Sequence, residues 1–130
     1  MRVLSRMCAA AAIAVVLSCG GEPGPMAGTL NVNLINPNNG QDGAAILVIT
    51  APEVPKAVTA GAGLTLWGAP ITTTTSKIVL TGTLTTGTIL TLDVDDVFKA
   101  NQYHVVVQQV AETNYQLRTS LAGYSATVTR

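Results

Sequence analysis

Residues 29–35, TLNVNLI, put Leu30, Val32 and Leu34 on one side of an extended chain and Asn31 and Asn33 on the other. A period of two marks a strand with one face in a core and one in water. The same period returns along the chain with turn residues between its repeats, and no stretch after the N-terminus carries a 3.6-residue apolar stripe. This pattern constrains the fold more than any other feature. It calls for sheets with unlike faces and removes the helices that βαβ crossovers need.

NPNNGQDG, at 36–43, is a run of turn residues. AAILVIT follows and is apolar on both faces, as a central strand of a layered structure is. Pro52 and Pro55 end it, because neither can donate to a ladder. In AVTAGAGLTLWGAP, Leu64 and Leu66 point one way and Thr65 and Trp67 the other, which predicts a short strand near 64–67. KIVLTGTL and TILTLDV, separated by Thr85-Thr86-Gly87, read as a hairpin. In the second of these, Leu90, Leu92 and Val94 share a face opposite Thr91, Asp93 and Asp95. DDVFKAN fits a single helical turn. YHVVVQQVA is a second strongly apolar strand, with Tyr103, Val105 and Val107 opposed to His104, Val106 and Gln108. ETNYQLRTS is polar, and YSATVTR closes the chain with Tyr124, Ala126 and Val128 on one face. About seven short strands in roughly 100 residues predict an all-β antiparallel β-sandwich.

Composition agrees. Eighteen Thr lie beyond residue 28, beside abundant Val, Ile and Leu, and these residues favour strands. Thr72-Thr73-Thr74-Thr75 reads as a polar loop or edge strand. The N-terminus is different. Arg2 and Arg6 precede MCAAAAIAVVLS, an apolar run ending in a small residue, the pattern of a secretory signal peptide. It is too short to span a bilayer, which takes about 20 apolar residues.

Val16-Leu17-Ser18-Cys19 resembles the lipobox of bacterial lipoproteins: an aliphatic residue, a tolerant position, a small residue, then Cys. The resemblance implies cleavage before Cys19, fatty acylation of its thiol and a membrane anchor of two or more chains, which is what stable anchoring needs. Gly20 follows, where Asp is the usual signal for inner-membrane retention, so the resemblance favours the outer membrane. The alternative is ordinary signal cleavage with a free Cys19. On the lipobox reading, residues 1–18 are a helical signal peptide, 19–28 the lipidated Cys and a Gly/Pro-rich flexible tether, and 29–130 the sandwich domain. Cys8 goes with the peptide, so the mature chain has no thiol for a disulfide, a nucleophile or a zinc site.

Removing Arg2 and Arg6 from seven Lys and Arg leaves five, against seven Asp and Glu, a net charge of −2. No basic patch is present, which argues against a nucleic-acid partner. VFKANQYHVVV resembles the E–F corner of fibronectin type III and related immunoglobulin-like domains, where a hydrophobic residue precedes by about six positions a Tyr that opens a Val-rich strand. Val97 and Tyr103 match those positions. The resemblance implies an immunoglobulin-like sandwich with the Tyr103 hydroxyl bonded to upstream backbone. The alternatives are that Tyr103 packs in the core, and a transthyretin-like strand order.

Few residues carry chemistry. Asp93, Asp95 and Asp96 are the one carboxylate cluster; they could chelate Ca²⁺, but they lie where a sandwich shows its wet face, and Ca²⁺ takes six or more oxygens. Asp42 with Asn36, Asn38 and Asn39 offers oxygens without EF-hand spacing and reads as turn chemistry. His104 is the sole histidine, and no GxSxG occurs. Trp67 is the candidate ligand contact, by stacking on a sugar or anchoring a protein, against the alternative of core packing. The expectation is a non-enzymatic, envelope-anchored lipoprotein with no cofactor beyond its lipid, acting in protein binding or scaffolding. The competing readings are a carbohydrate-binding surface module, with Trp67 and a loop Tyr as platform, and a metal-assisted hydrolase built on His104 and the aspartates.

Overall fold

The computed structural model describes residues 24–68 and 74–130. Cys8, Cys19 with its lipobox, and Thr72-Thr73 lie outside those residues.

Eight strands form two antiparallel four-stranded sheets. They are β1 (Gly28–Ile35), β2 (Asp42–Thr50), β3 (Ala57–Ala60), β4 (Thr65–Trp67), β5 (Thr75–Leu84), β6 (Gly87–Val94), β7 (His104–Glu112) and β8 (Ser125–Thr129). The first sheet has the order β3-β6-β1-β8 and the second β4-β5-β2-β7. The all-β antiparallel sandwich is therefore as the alternation predicts, with β3 as the strand that the sequence reading passes over. Its four residues alternate exposed and half-buried, too short a stretch to register as a period.

The pairing is that of one long hairpin rolled up: β1 lies beside β8, β2 beside β7, β3 beside β6 and β4 beside β5. Successive strands mostly change layer. This order differs from immunoglobulin connectivity, in which the first two strands share a sheet; here β1 and β2 lie in opposite layers.

The same rule corrects the expected hairpin. β5 and β6 lie in different sheets, so Thr85 and Thr86 cross between layers instead of turning within one. Both strands carry a strongly apolar face. Placing them in facing layers buries Leu80 and Leu84 from one against Ile89, Leu90 and Leu92 from the other. Ile89 and Leu90 are both buried although adjacent, because the register of β1 on β6 slips there: Val32 faces Leu90, and Asn33 faces Thr88. Ile89 is the extra residue of a bulge.

The core is aliphatic. Leu30, Val32 and Leu34 of β1 meet Ala45, Leu47 and Ile49 of β2 across the interlayer space. Each of the buried Leu, Val and Ile side chains contributes about 1.5–3 kcal/mol. Gly82 marks a tight approach: its φ is 125°, and a Cβ there would lie 2.6 Å from the Gly63 carbonyl oxygen. The expected helical turn is a 3₁₀ helix, Val97–Gln102, whose N-cap Asp96 accepts from the Phe98 amide at 3.0 Å. The domain also reaches further back than residue 29. Gly28 already pairs with Val94, and the Met26 carbonyl accepts from the Val97 amide at 2.8 Å.

Candidate functional site

The two outer faces of the sandwich are chemically opposite. On the β3-β6-β1-β8 sheet the outward positions are Thr29, Asn31, Asn33 and Ile35 of β1, Ala57 and Thr59 of β3, Thr88, Thr91 and Asp93 of β6, and Ser125, Thr127 and Thr129 of β8, mostly Thr and Asn with Ile35 as the large apolar exception at one end. Their side chains bond across strands. Thr88 Oγ1 donates to Asn33 Oδ1 at 2.7 Å, and Asn33 Nδ2 donates to Thr129 Oγ1 at 2.9 Å. This is the hydroxyl-wetted surface that the composition predicts.

The β4-β5-β2-β7 sheet turns out a different set. Ladder pairing fixes three rows across it. Trp67, Val79, Ile46 and Gln109 form the middle row. Lys77, Val48 and Val106 form the row on one side of it. Thr81, Ala44 and Ala111 form the row on the other side, extended by Leu117, which bridges to Ala111. Trp67, Val106 and Leu117 are 58%, 60% and 61% exposed. Between them lies a shallow apolar hollow of about 150 Å³, floored by Ala44, Ile46, Val79 and Ala111 and edged by Gln109 and Leu117. The reason lies in β2. Its sequence is apolar at every position from Ala44 to Ile49, so burying Ala45, Leu47 and Ile49 leaves Ile46 and Val48 facing out.

Trp67 sits on the edge strand β4, with its indole held by a 2.9 Å bond from Nε1 to Thr81 Oγ1. It also borders a second apolar recess, of about 260 Å³, at the open flank between β3 and β4, with Val54, Val58, Leu66 and Ile78 in its wall and Lys56 at its rim. The loop Tyr of the sugar-platform reading is not brought to it. Tyr115 follows β7 at the far edge of the same sheet, three strand spacings or roughly 14 Å away. Tyr103 is buried and Tyr124 half-buried.

The aspartates diverge in their partners. Asp95 pairs with Lys56 at 2.6 Å, raising the Lys56 pKa through that hydrogen bond and charge, while Asp96 caps the 3₁₀ helix. Asp93 is exposed on β6. Among the described residues no three His, Cys, Asp or Glu side chains gather as metal ligands. His104 opens β7 at the exposed end of its row, opposite Thr50.

Tyr103 caps the 3₁₀ helix immediately before β7 and is 3% exposed, but the bond to backbone that the corner resemblance implies is not made. Its hydroxyl finds no partner among the described residues, nor does the buried Glu53 Oε1. Burial, and then the negative charge of Glu53, raise the Tyr103 pKa. The residue acts as core filler with a polar tip.

A polar cluster that the sequence reading missed closes the opposite end of the sandwich. Asp42 is wholly buried. Its Oδ1 accepts from Arg118 Nε and pairs with Nη2, each at 2.8 Å, and its Oδ2 accepts from the Tyr124 hydroxyl at 2.5 Å. Arg118 Nη1 donates to Glu112 at 2.8 Å, and Asn38 Nδ2 donates to the Tyr124 oxygen at 2.9 Å. The hydrogen bond to Asp42 is the main cause raising the Arg118 pKa; burial, then the same acceptor, raises that of Tyr124. Of the residues read as turn chemistry, Asn36 performs it, its Oδ1 accepting from the Asn38 amide at 2.7 Å, whereas Asn39 Oδ1 accepts from the distant Thr86 amide at 2.6 Å and Asp42 is the buried anion of the cluster. The sequence held one hint of the cluster: Arg118 is the sole cation between Lys99 and Arg130, inside a polar stretch with no strand period. Asp42, Arg118 and Tyr124 are mutually bonded, so the cluster locks the β7–β8 connection to β2.

The apolar face of the β4-β5-β2-β7 sheet is thus the surface best suited to recognition, and comparison adds no relative to it: no family model, no curated protein and no solved structure matches the chain.

Proposed function

We propose that the chain is an exported lipoprotein, anchored in the cell envelope through Cys19, whose β-sandwich acts by binding protein. The outer membrane is the favoured site. The observation that supports this most is the apolar outer face carrying Ile46, Val48, Val79, Val106 and Leu117 beside an opposite face mostly of Thr and Asn. Isolated exposed apolar residues are ordinary; a contiguous patch bounded by polar residues is the mark of an interaction surface. The lipobox supports the anchor, and the sandwich supplies a rigid face for display.

The test has two arms. Labelling with a fatty acid should mark the wild-type chain and not Cys19→Ala; an unlabelled, unprocessed chain in the soluble intracellular fraction overturns the anchor. Proteins recovered with the wild-type chain from envelopes should be lost with Val106→Lys, at a position exposed enough to leave the fold intact. Identical recovery overturns the assigned face. Carbohydrate binding remains the second reading, favoured by one observation, the fixed and 58% exposed indole of Trp67. Retention on glycan resins that is lost in Trp67→Ala would select it.

A further inference from the structure

We infer that the partner of the apolar face is a second copy of this chain, packed face to face about a two-fold axis. The inference rests on the protein-binding reading and names its partner.

The pattern of the face is self-complementary. Take a two-fold axis lying in the interface along the middle row, perpendicular to the strands. Such an axis returns each strand over its own counterpart and exchanges the two flanking rows. Residues of the middle row then meet themselves: Trp67 over Trp67 at one edge, then Val79 over Val79, Ile46 over Ile46 and Gln109 over Gln109. The flanking rows meet as large over small. Val106 lies over Ala111 of the other copy, Val48 over Ala44, and Lys77 over the Thr81 hydroxyl. Each contact occurs twice, as an isologous interface requires. The exposed Val106 is then the knob and the hollow floored by Ala44 and Ala111 its socket, once in each direction. An axis parallel to the strands fits worse, because it brings β5 over β2 and sets the Lys77 ammonium on Val48.

Size sets a condition: the apolar patch alone is smaller than a standard interface, so the polar rim has to be buried with it. With strands about 4.8 Å apart and residues about 3.4 Å apart along them, the patch from Trp67 to Leu117 covers on the order of 500 Å² including side chains. A standard interface takes about 800 Å² from each partner, with an apolar centre and a polar rim. Thr65, Thr81, Gln109 and Lys77 stand where that rim falls. Two sheets stacked this way extend the sandwich to four layers at the usual separation of about 10 Å.

The experiment uses the full chain in envelope membranes with a photoactivatable benzophenone side chain at position 109, on the axis, or at exposed Thr127, on the opposite sheet. Irradiation at 109 should give an adduct of two chains whose cross-linked peptide maps to residues 104–112 of the second copy. Position 127 should give none, and adding Val106→Lys should reduce the adduct at 109 at least tenfold. An adduct at 109 with a different protein and none between copies overturns the two-fold pairing while leaving the protein-binding reading in place. No adduct at 109 above the level at 127 overturns both.

Discussion

Replacing Asp42 by alanine tests the polar cluster at the end of the sandwich. The wild-type carboxylate has no solvent exposure and holds three contacts, two from Arg118 and one from Tyr124. Bonds to a charged group are worth about 1.5–3 kcal/mol each. Their sum overstates the loss, since Arg118 keeps Glu112 and Tyr124 keeps Asn38. Removing one partner from a buried ion pair costs about 3–5 kcal/mol, and that is the expected loss for Asp42→Ala. It is a large part of the 5–15 kcal/mol, roughly, that holds a domain together, and at about 4–8 °C per kcal/mol it lowers Tm by at least about 12 °C. Asp42→Asn keeps the volume and one acceptor, so it should lose about half as much. Urea unfolding followed by circular dichroism reads these values from the midpoint at constant slope. Tyr124→Phe supplies the control: both substitutions act on one hydrogen bond, so the double variant should lose about 1 kcal/mol less than the sum of the singles. A loss below about 1 kcal/mol for Asp42→Ala, or strict additivity, refutes the account of the cluster as a latch.

Other outcomes are open to measurement. Tyr103→Phe removes a buried hydroxyl that has no partner, so it should change stability by less than about 0.5 kcal/mol or raise it; a loss above about 1.5 kcal/mol in urea unfolding would mean the corner bond exists. Gly82→Ala should lose about 2 kcal/mol or more, because a Cβ meets the Gly63 carbonyl at 2.6 Å on a backbone with φ of 125°; an unchanged midpoint refutes the close approach. The folded-state pKa values of Tyr103 and Tyr124 are both raised, so their protons are held more tightly in the folded chain. Stability linked to them is therefore full below about pH 10, the unfolded value, and is lost as pH rises through the folded values. Tyr124→Phe should flatten that alkaline fall, and an identical pH profile would contradict the burial of its hydroxyl.

Much of the fold was legible because alternation survives in the residues themselves. β1, β6 and β8 each announce a wet face and a dry one, and the structure keeps both assignments. What alternation does not encode is which layer a strand joins. The residues on either side of Thr85-Thr86 satisfy a hairpin and a crossing between sheets equally well; the crossing prevails because it sets two strongly apolar faces against each other. The cluster around Asp42 was illegible for a related reason. Its members stand 76 and 82 residues apart from Asp42, at Arg118 and Tyr124, and only the rolled pairing brings them together. The expectation of lipidation at Cys19 rests on a local sequence pattern and concerns a residue outside the described ones.

The apolar outer face carries the most instructive mismatch between pattern and structure. AAILVIT is apolar on both sides, and a strand of that kind belongs in the middle of a layered structure with cover on each side. β2 is indeed an inner strand of its sheet, hydrogen-bonded to β5 and β7. Yet the sandwich has only one other layer, and that layer covers only the side carrying Ala45, Leu47 and Ile49. No described element packs over Ile46 and Val48. The neighbouring strands repeat the choice: Val79, Val106 and Trp67 occupy outward positions, where the opposite sheet carries mostly Thr and Asn with Ile35 at one end. One outward apolar residue needs no explanation, but a choice repeated on four adjacent strands does. A two-sided strand in a two-layer domain leaves an apolar face that no described residue covers, and the proposed pairing of two copies is an account of what covers it.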